Sequence, residues 1–379
     1  MGSAEALPSA AFTLALASLP DVGPARLLAL ADVHGPRRAW DDVLAGRAHT
    51  GPVGSLMTPD PGGLARRWAR AASAIDVAAL WTRHLAAGVG VADRSDDSYP
   101  AVLAEDPHGP ALLIWQGDLQ ALNGPRVAVV GTRDCTNAGR EFASALGRDL
   151  SEAGVCVVSG LALGIDGAAH AGALSTGRAR PIAVVGSGLD VIYPRRHADL
   201  WDRVAADGVV LSEHPLGTEP VGWHFLARNR IIAMLADVVV VVESHERGGS
   251  LQTATQAAQR GRVVLAVPGS VQSAASRGTN ALLADAGVCC GVEDVLAVVG
   301  MVAPQVVERD RRPRPQGTDA VVLAGLEAEP CSTETLMIRT GLPLAEVAMA
   351  LDHLETAGWI VRRGAWAERV GSSSEQSSL

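Results

Sequence analysis

The residues with the clearest chemical potential stand in the run SGLALGIDGAAH, near the middle of the chain. Gly160, Gly164 and Gly167 carry no side chain, so nearby backbone N–H groups stay accessible at the start of a helix, where they attract phosphates. Asp166 and His170 are four residues apart and therefore share one helix face. The run predicts either a phosphate-binding turn or, in a purely structural interpretation, close helix–sheet packing beside a structural histidine.

This turn follows one of several regularly spaced apolar runs. The runs begin near Arg126, Val155, Ile182, Val209, Val238 and Val263. Their starts are 25 to 29 residues apart, the spacing of strand–helix units, and they are apolar throughout rather than alternating. Both features indicate a parallel sheet buried between two layers of helices. With right-handed crossovers, the sequence predicts an α/β, doubly wound, extended Rossmann-like fold over residues 91–300.

Ligands of such a sheet bind where its strands end. Small, hydroxyl, amide and arginine side chains gather at these positions: Gly131, Thr132, Arg133, Ser159, Gly160, Gly164, Gly186, Gly188, Arg195, Arg196, Arg228, Asn229, Arg230, Gly249, Ser250 and Thr253. Together they predict a phosphate-binding rim, in which backbone amides position the oxygens and arginines neutralise them. The sequence has neither a GxGxxG fingerprint nor a Walker A motif, and we predict no cofactor, no metal and no catalytic residue.

Seven motifs follow one another in order: GTR, SGLALGIDGAAH, VVGSGLDVIYP, LSEHPLGTEP, FLARNRIIAML, GGSLQTA and AVPG. As an ordered set they resemble the DprA/Smf family of DNA-processing proteins, densely over residues 126–292. The resemblance implies a Rossmann domain that binds single-stranded DNA and is not an enzyme. It also implies a homodimer that protects incoming DNA and loads the RecA recombinase during natural transformation.

The resemblance assigns roles to individual arginines. Arg133 of the GTR motif and Arg195 after Tyr-Pro would bind the DNA backbone, with Arg196 as the alternative for the second role. Arg228 and Arg230 are two residues apart, so both cannot point at one ligand, and one of them is expected to brace the loop. Unpaired bases stack on aromatic side chains, which are few in this chain. Those near the predicted rim are Tyr193, Trp223 and Phe225.

Residues 1–90 predict an N-terminal helical domain. Within it, the run LPDVGPAR resembles the turn of SAM-like helix-hairpin-helix domains, which offers its backbone N–H groups to DNA phosphates. The run is short, and two interpretations stay open: a DNA contact or plain helical packing. Further along, the pattern predicts one long helix over Leu64–Ala87.

The C-terminal part is organised differently. Residues 301–318 are rich in proline and arginine and predict a linker. Residues 319–370 resemble a winged-helix module, and residues 371–379 have the composition of a disordered tail. The third helix of the module carries acidic side chains where a DNA-reading helix presents Arg, Asn or Gln. We therefore predict that the module binds a protein partner rather than a specific DNA sequence.

Composition excludes several classes of protein. The net charge of −9 argues against general coating of nucleic acids, so a nucleic-acid site must be a local patch. All 32 basic residues are arginine. No apolar stretch is long enough to span a membrane, no basic segment precedes the first apolar run, and the five cysteines lack CxxC spacing. We expect a cytoplasmic protein without a membrane partner.

An enzymatic alternative stays open. Rossmann proteins resembling the lysine-decarboxylase-like phosphoribohydrolases carry a glutamate in the loop that corresponds to GGSLQTA, where this chain has no carboxylate. Other candidate acids are Asp166, Glu213 and Glu243. The sequence favours a DNA-binding protein that is not an enzyme, with a nucleotide-processing hydrolase as the alternative.

Overall fold

The computed structural model describes residues 7–50, 52–57, 59–178, 180–300, 315–326, 331–363 and 366–369. The chain divides into two compact units between Pro304 and Gln305. Most of the predicted linker, 301–314, and all of the predicted tail, 371–379, lie outside the described residues. Within the described ranges, no helix is both long and apolar enough to cross a membrane.

The first unit begins with a group of helices: α1 (Ser9–Ala17), α2 (Pro24–His34), α3 (Pro36–Leu44), α4 (Pro52–Ser55), α5 (Pro61–Ala72) and α6 (Val77–Ala86). The prediction of a single helix over Leu64–Ala87 is wrong, because four residues separate the end of α5 from the start of α6. The break follows from Asp76, whose side chain accepts hydrogen bonds from two backbone N–H groups in the first turn of α6, at 2.9 and 3.0 Å.

The hairpin turn predicted near residue 20 connects α1 to α2. α2 begins at Pro24, which has no N–H group and suits the first position of a helix. The turn is held by the indole N–H of Trp68, which donates to the carbonyl oxygen of Pro20 at 2.7 Å. Trp68 and Leu14 are buried in a core that continues to Ile114 in the neighbouring sheet. The helical group therefore packs directly on the sheet.

The same unit contains a mixed sheet of β1 (Gly90–Asp93), β2 (Leu112–Gly117), β3 (Arg126–Val130), β4 (Cys156–Ser159), β5 (Ile182–Val184), β6 (Val209–Ser212), β7 (Val238–Val241), β8 (Val263–Ala266) and β9 (Gly287–Val288). Their order across the sheet is β1-β2-β6-β5-β4-β3-β7-β8-β9. β2 pairs antiparallel with both β1 and β6, and from β6 to β9 all neighbours are parallel. The strands predicted from the apolar runs are confirmed.

Helices cover both faces of the sheet: α7 (Ala101–Ala104), α8 (Asn137–Glu152), α9 (Ile165–Ala173), α10 (Ala198–Asp207), α11 (Gly222–Leu235), α12 (Gly249–Ala258), α13 (Arg277–Leu282) and α14 (Val292–Val299). Val127 and Val129 of β3 pack in the layer of α8, α9 and α14, whereas Ala128 and Val130 pack in the layer of α11 and α12. Alternate residues of one strand thus face two helix layers, which confirms the doubly wound fold.

The direction of travel across the sheet reverses at β3. From β3 the chain proceeds to β4, β5 and β6 on one side, and then crosses to β7 on the other side of β3. The helices that follow β3 and β7 lie on opposite faces, so a crevice opens between the carboxyl ends of these two strands. Ligands of doubly wound sheets bind at such a point.

The second unit contains α15 (Gly317–Gly325), β10 (Cys331–Ser332), α16 (Thr333–Thr340), α17 (Leu344–Thr356), β11 (Ile360–Arg363) and β12 (Trp366–Arg369). β12 pairs antiparallel with both β10 and β11. The hydroxyl of Ser332 caps α16 by accepting from the N–H of Thr335 at 3.2 Å, and Gly341 ends that helix with a φ of +71°. Helices followed by an antiparallel hairpin are the elements predicted for a winged-helix module.

Candidate functional site

A pocket of about 370 Å³ lies at the carboxyl ends of β3 and β7. Its walls are the GTR turn after β3, one face of α11 and the first turn of α12. From the predicted rim it brings together Gly131, Thr132, Arg133, Arg228, Asn229, Gly249, Ser250 and Thr253. These residues define what we call the crevice pocket.

Arg228 is the buried cation of the crevice pocket. It is only 3 % exposed, and its Nε and Nη1 atoms have no hydrogen-bond partner among the described residues. The guanidinium lies against Gly160, where a Cβ would collide with it. Burial lowers the pKa of Arg228 to about 10, with Asp166 opposing and Arg133 adding to the shift. The group is thus charged at neutral pH, and an anion in the pocket would supply its missing hydrogen bonds.

The glycine-rich turn supports the pocket from within the protein. Ser159 is buried and its hydroxyl donates to the carbonyl of Val129 at 2.6 Å. The N–H of Gly160 donates to Asp166 at 3.1 Å, and a Cβ at Gly164 would collide with the backbone of the GTR turn. None of the three is in the lining of the crevice pocket, so their predicted contact with a ligand stays a prediction. They are buried, and their small size permits close packing.

Asp166 and His170 both lie on α9 and are both buried. Burial raises the pKa of Asp166, although the charge of Arg228 opposes this shift. Burial lowers the pKa of His170 to about 3, so the imidazole is neutral near pH 7. Asp166 lines the crevice pocket beside Arg228, and His170 does not. His170 is buried in the fold, but both of its ring nitrogens lack a hydrogen-bond partner among the described residues.

Arg133 stands at the exposed edge of the crevice pocket. The N–H of Thr132 donates to the carbonyl of Glu243 at 2.7 Å, which anchors the GTR turn to the segment after β7. The guanidinium of Arg133 lies over the ring of Phe225, 4.8 Å from its centroid, in a cation–π contact. Phe225 in turn packs against Tyr193, with ring centroids 5.4 Å apart. An exposed cation and two aromatic rings therefore adjoin the pocket.

Some pocket residues were missing from the predicted rim. Asp166 and His245 line the crevice pocket, although neither was in the predicted set of ligand contacts, and Phe225, predicted only as an aromatic ring near the rim, is part of the lining itself. The sequence does contain a signal for Phe225, which stands three residues before Arg228 and so one helical turn away. His245 follows the carboxyl end of β7, where ligand contacts are expected.

Arg230 braces the protein instead of lining the crevice pocket. Its two Nη atoms donate to the two carboxylate oxygens of Glu213 at 2.6 Å each, and its Nε donates to the carbonyl of His108 at 3.1 Å. Burial alone would raise the pKa of Glu213, but the charge and hydrogen bonds of Arg230 lower it. Arg228 lines the crevice pocket and Arg230 braces the fold, whereas a DNA contact of Arg230 stays a prediction.

The first turn of α12 forms the remaining wall. Gly248, its N-cap residue, has no side chain with which to satisfy the first N–H groups, so the positive end of the helix dipole adjoins the pocket. The side-chain amide of Asn229 donates to the carbonyl of Gly249 at 3.2 Å and links α11 to α12. The hydroxyl of Ser250 donates to that of Ser244 at 2.8 Å. This wall thus offers backbone N–H groups rather than hydroxyl groups to an anion.

The predicted contacts after β5 lie outside the crevice pocket. Gly186 is buried under α11, where a Cβ would be 3.2 Å from the backbone of His224. Gly188 is also buried, and the predicted ligand contact of these two glycines stays a prediction. Arg195 and Arg196 are exposed two and three residues after Tyr193, beyond the pocket lining.

The candidate acids of the enzymatic alternative all have structural partners. Glu243 accepts hydrogen bonds from the N–H and the hydroxyl of Thr136, at 2.8 and 2.6 Å, where α8 begins. Glu213 is paired with Arg230, and Asp166 accepts from the turn that precedes α9. Each carboxylate stabilises an element of the fold.

Comparison with known proteins agrees with this geometry. A family model described as DNA recombination-mediator protein A matches residues 91–300, and one described as the DprA winged helix domain matches residues 308–365. The DNA processing protein DprA of Streptococcus pneumoniae is 44 % identical over 203 residues, which are 53 % of this chain and 71 % of that protein.

Two solved structures are similar over long stretches. The X-ray structure of DprA from Streptococcus pneumoniae superposes with a TM-score of 0.62 at 33 % identity, over 77 % of this chain and 98 % of that one. The structure of DprA from Helicobacter pylori, described as giving insight into its single-stranded DNA binding mode, superposes with a TM-score of 0.50 at 29 % identity, over 56 % of this chain and 95 % of that one.

Proposed function

The chain belongs to the DprA/Smf family of DNA-processing proteins, and from this premise we propose that its crevice pocket binds single-stranded DNA. The observation that carries the proposal is Arg228, a buried guanidinium in the pocket lining whose Nε and Nη1 atoms have no partner in the described part of the chain. A phosphate is the anion that a nucleic acid offers to such a group.

The arginines and the start of α12 bind the phosphates of the strand, and the aromatic rings bind its bases. One phosphate lies between Arg228 and the open first turn of α12, where guanidinium and backbone N–H groups both donate to its oxygens. Arg133, which is exposed, binds a neighbouring phosphate. Unpaired bases stack on Phe225 and Tyr193, whereas the bases of a duplex are already stacked and paired. The site therefore favours the single strand.

We further propose that the strand is bound and not cleaved. Asp166, Glu213 and Glu243, the acids considered for a hydrolase, are each held by a partner within the fold, whereas Asp134 and His245, which also line the crevice pocket, are exposed. A hydrolase needs a carboxyl or imidazole group that can exchange a proton with its substrate. The relation to the family supports a recombination mediator over a nucleotide-processing hydrolase.

The wider role is inferred from the family resemblance. We propose that the protein protects incoming single strands in the cytoplasm and loads RecA recombinase on them as a homodimer during natural transformation. The second unit, whose third helix α17 is acidic, is proposed to bind a protein partner.

The direct test is fluorescence anisotropy of labelled oligo(dT) and a matched duplex, across a salt series. We expect the wild type to prefer the single strand and to bind less tightly as salt rises. Arg133→Ala should lose about tenfold in affinity, because it removes both a phosphate contact and the ring contact with Phe225.

Arg148→Ala is the matched control. Arg148 is exposed near the end of α8 and pairs with Asp149, outside the crevice pocket. The Arg148→Ala variant removes the same net charge as Arg133→Ala and should bind oligo(dT) within about twofold of the wild type. Equal losses in both variants would show that net charge, rather than this pocket, determines binding.

A further inference from the structure

A second pocket, of about 350 Å³, lies on a different face of α11. It lies where the N-terminal helical group meets the Rossmann-like part of the same unit. Its lining residues are Pro24, Ala25, Leu28, His108, Gly109, Trp223, Ala227 and Arg230. They define what we call the hairpin pocket, because α2 and the hairpin turn supply one wall.

The two pockets share one helix. α11 lines the crevice pocket with residues 222, 225, 226, 228, 229 and 232, and the hairpin pocket with residues 223, 227 and 230. At 3.6 residues per turn, the centres of these two faces are about 150° apart around the helix. What separates the pockets is the first turn of α11, where a Cβ on Gly222 would meet no heavy atom within 4 Å. A strand that leaves one pocket can therefore reach the other over open backbone.

The first turn of α11 favours a phosphate at this crossing point. Its N-cap residue is Val221, whose side chain makes no cap hydrogen bond. The positive end of the dipole of a 14-residue helix therefore lies between the two pockets.

Trp223 is the side chain that distinguishes the hairpin pocket. It is 49 % exposed, although a large apolar ring is normally buried. The ring reaches across to the hairpin turn, where a Cβ on Gly23 would be 4.0 Å from its Cη2 atom. The cation in the lining, Arg230, is already bound by Glu213. The pocket thus offers an aromatic face and apolar walls, which suit a base better than a phosphate.

We propose that the hairpin pocket binds a base of the strand whose backbone occupies the crevice pocket, with Trp223 as the stacking platform. This inference rests on the proposed function. The strand crosses the start of α11, and α2 closes the second pocket around the base. The N-terminal helical group thereby contacts DNA through Pro24 and Ala25 of α2 as well as packing on the sheet.

The test compares Trp223→Ala and Trp223→Phe with the wild type, using anisotropy of labelled oligo(dT) of increasing length. A stacked base contributes about 1–3 kcal/mol, so Trp223→Ala should bind long oligo(dT) about tenfold more weakly. Trp223→Phe keeps an aromatic face and should stay within about threefold of the wild type. For oligonucleotides too short to leave the crevice pocket, all three proteins should bind equally.

A second pair of variants tests the wall that α2 contributes to the hairpin pocket. Ala25 is exposed in the first turn of α2. Ala25→Glu places a negative charge where it favours the helix dipole, so the fold is not weakened, but the charge repels a strand in the hairpin pocket. It should weaken binding of long oligo(dT) severalfold, while Ala79→Glu, which adds the same charge at an exposed position in the first turn of α6 and outside both pockets, should bind like the wild type.

The outcomes separate this inference from the proposed function. If Arg133→Ala loses affinity but Trp223→Ala equals the wild type at every length, the hairpin pocket is not a DNA site and the crevice pocket still is. If Trp223→Ala weakens even the shortest oligonucleotides equally, Trp223 acts through the crevice pocket and the second site is overturned. If the wild type binds no oligo(dT), the proposed function fails first.

Discussion

In the crevice pocket, Arg228 is buried with two donor atoms that lack a partner within the described ranges, and Arg133 is exposed beside it. In the second unit, the Nε of Arg362 donates to Glu355 at 2.6 Å and its Nη2 donates to Asp352 at 3.3 Å. Both regions contain arginine, but among the described side chains Arg228 lines an open pocket with two unpaired donor atoms, whereas Arg362 is held by two carboxylates. We propose that DNA binding depends on how each arginine is paired rather than on how many a surface contains.

The overall charge makes this difference important. With a net charge of −9, the protein repels DNA at long range, so attraction must come from a local patch. α17 of the second unit exposes Glu346 and Asp352, which adds to the repulsion. The crevice pocket instead adds the open ends of helix dipoles to its guanidinium groups.

The largest effect is expected from Arg228→Met. Two charge-assisted hydrogen bonds contribute about 1.5–3 kcal/mol each, so affinity for oligo(dT) should fall by at least about 100-fold, as measured by anisotropy. The free energy of unfolding, measured with urea, should change by only about 1 kcal/mol, because the variant removes a charge that is costly to bury. Asp166, whose pKa is already raised by burial, would take up a proton instead of staying charged.

Arg230→Met is the matched control, two residues along the same helix. It leaves Glu213 buried without its partner, so the free energy of unfolding should fall by about 3–5 kcal/mol. Folded Arg230→Met should still bind oligo(dT) within about threefold of the wild type, since Met keeps the apolar wall of the hairpin pocket. If Arg228→Met were the unstable variant and Arg230→Met the one that fails to bind, the roles assigned to the two arginines would be reversed.

The fold could be predicted because the apolar pattern that buries its strands is visible in the sequence. Solidly apolar runs at regular spacing indicate buried parallel strands, and the strand ends then follow. The break between α5 and α6 was missed, because helical periodicity continues through a region where Asp76 begins a new helix. A capping side chain competes with a continuous helix, and the periodic pattern does not reveal which prevails.

The site was predictable only in part. The sequence brings Arg133 and Arg228 to the rim of the sheet, and both line the crevice pocket, but it does not show which way α11 is rotated. Apolar and polar residues are spread around that helix, and all of Ile231–Leu235 is buried, so no single apolar stripe indicates its inner face. The sequence also does not show that a guanidinium fills the space above Gly160, because that group comes from a residue 68 positions later.

The two units also differ in how their histidines take up protons at low pH. His214 in the first unit packs against His224 with ring centroids 4.2 Å apart, and burial lowers its pKa to about 4 against the opposing charge of Glu213. The histidine of the second unit, His353, is exposed. Between about pH 6.5 and pH 4 the unfolded chain therefore binds a proton at His214 that the folded chain does not.

The free energy of unfolding of the first unit should consequently fall as the pH drops from 7 to 4, by about 2–3 kcal/mol through this residue, and level off below pH 4. Urea denaturation of His214→Gln should show a shallower pH dependence over that window. His108→Gln, which changes an exposed histidine of the same unit, should keep the wild-type slope. An unchanged slope in His214→Gln would mean that other groups cause the acid sensitivity.

The smallest effect is expected where arginine would be released from its partners. In the double variant Asp352→Asn, Glu355→Gln, both carboxylates that hold Arg362 become neutral, so its guanidinium becomes available to phosphate. Because Arg362 is partly exposed and screened by solvent, affinity for duplex and oligo(dT) at low salt should rise only about twofold. The control Glu346→Gln, Asp352→Asn removes the same charge but leaves Arg362 bound to Glu355, and it should gain less. A tenfold gain in the first double variant would show that pairing alone had kept the second unit from binding DNA. Equal affinities of the two double variants would show that net charge, and not arginine pairing, separates the two units.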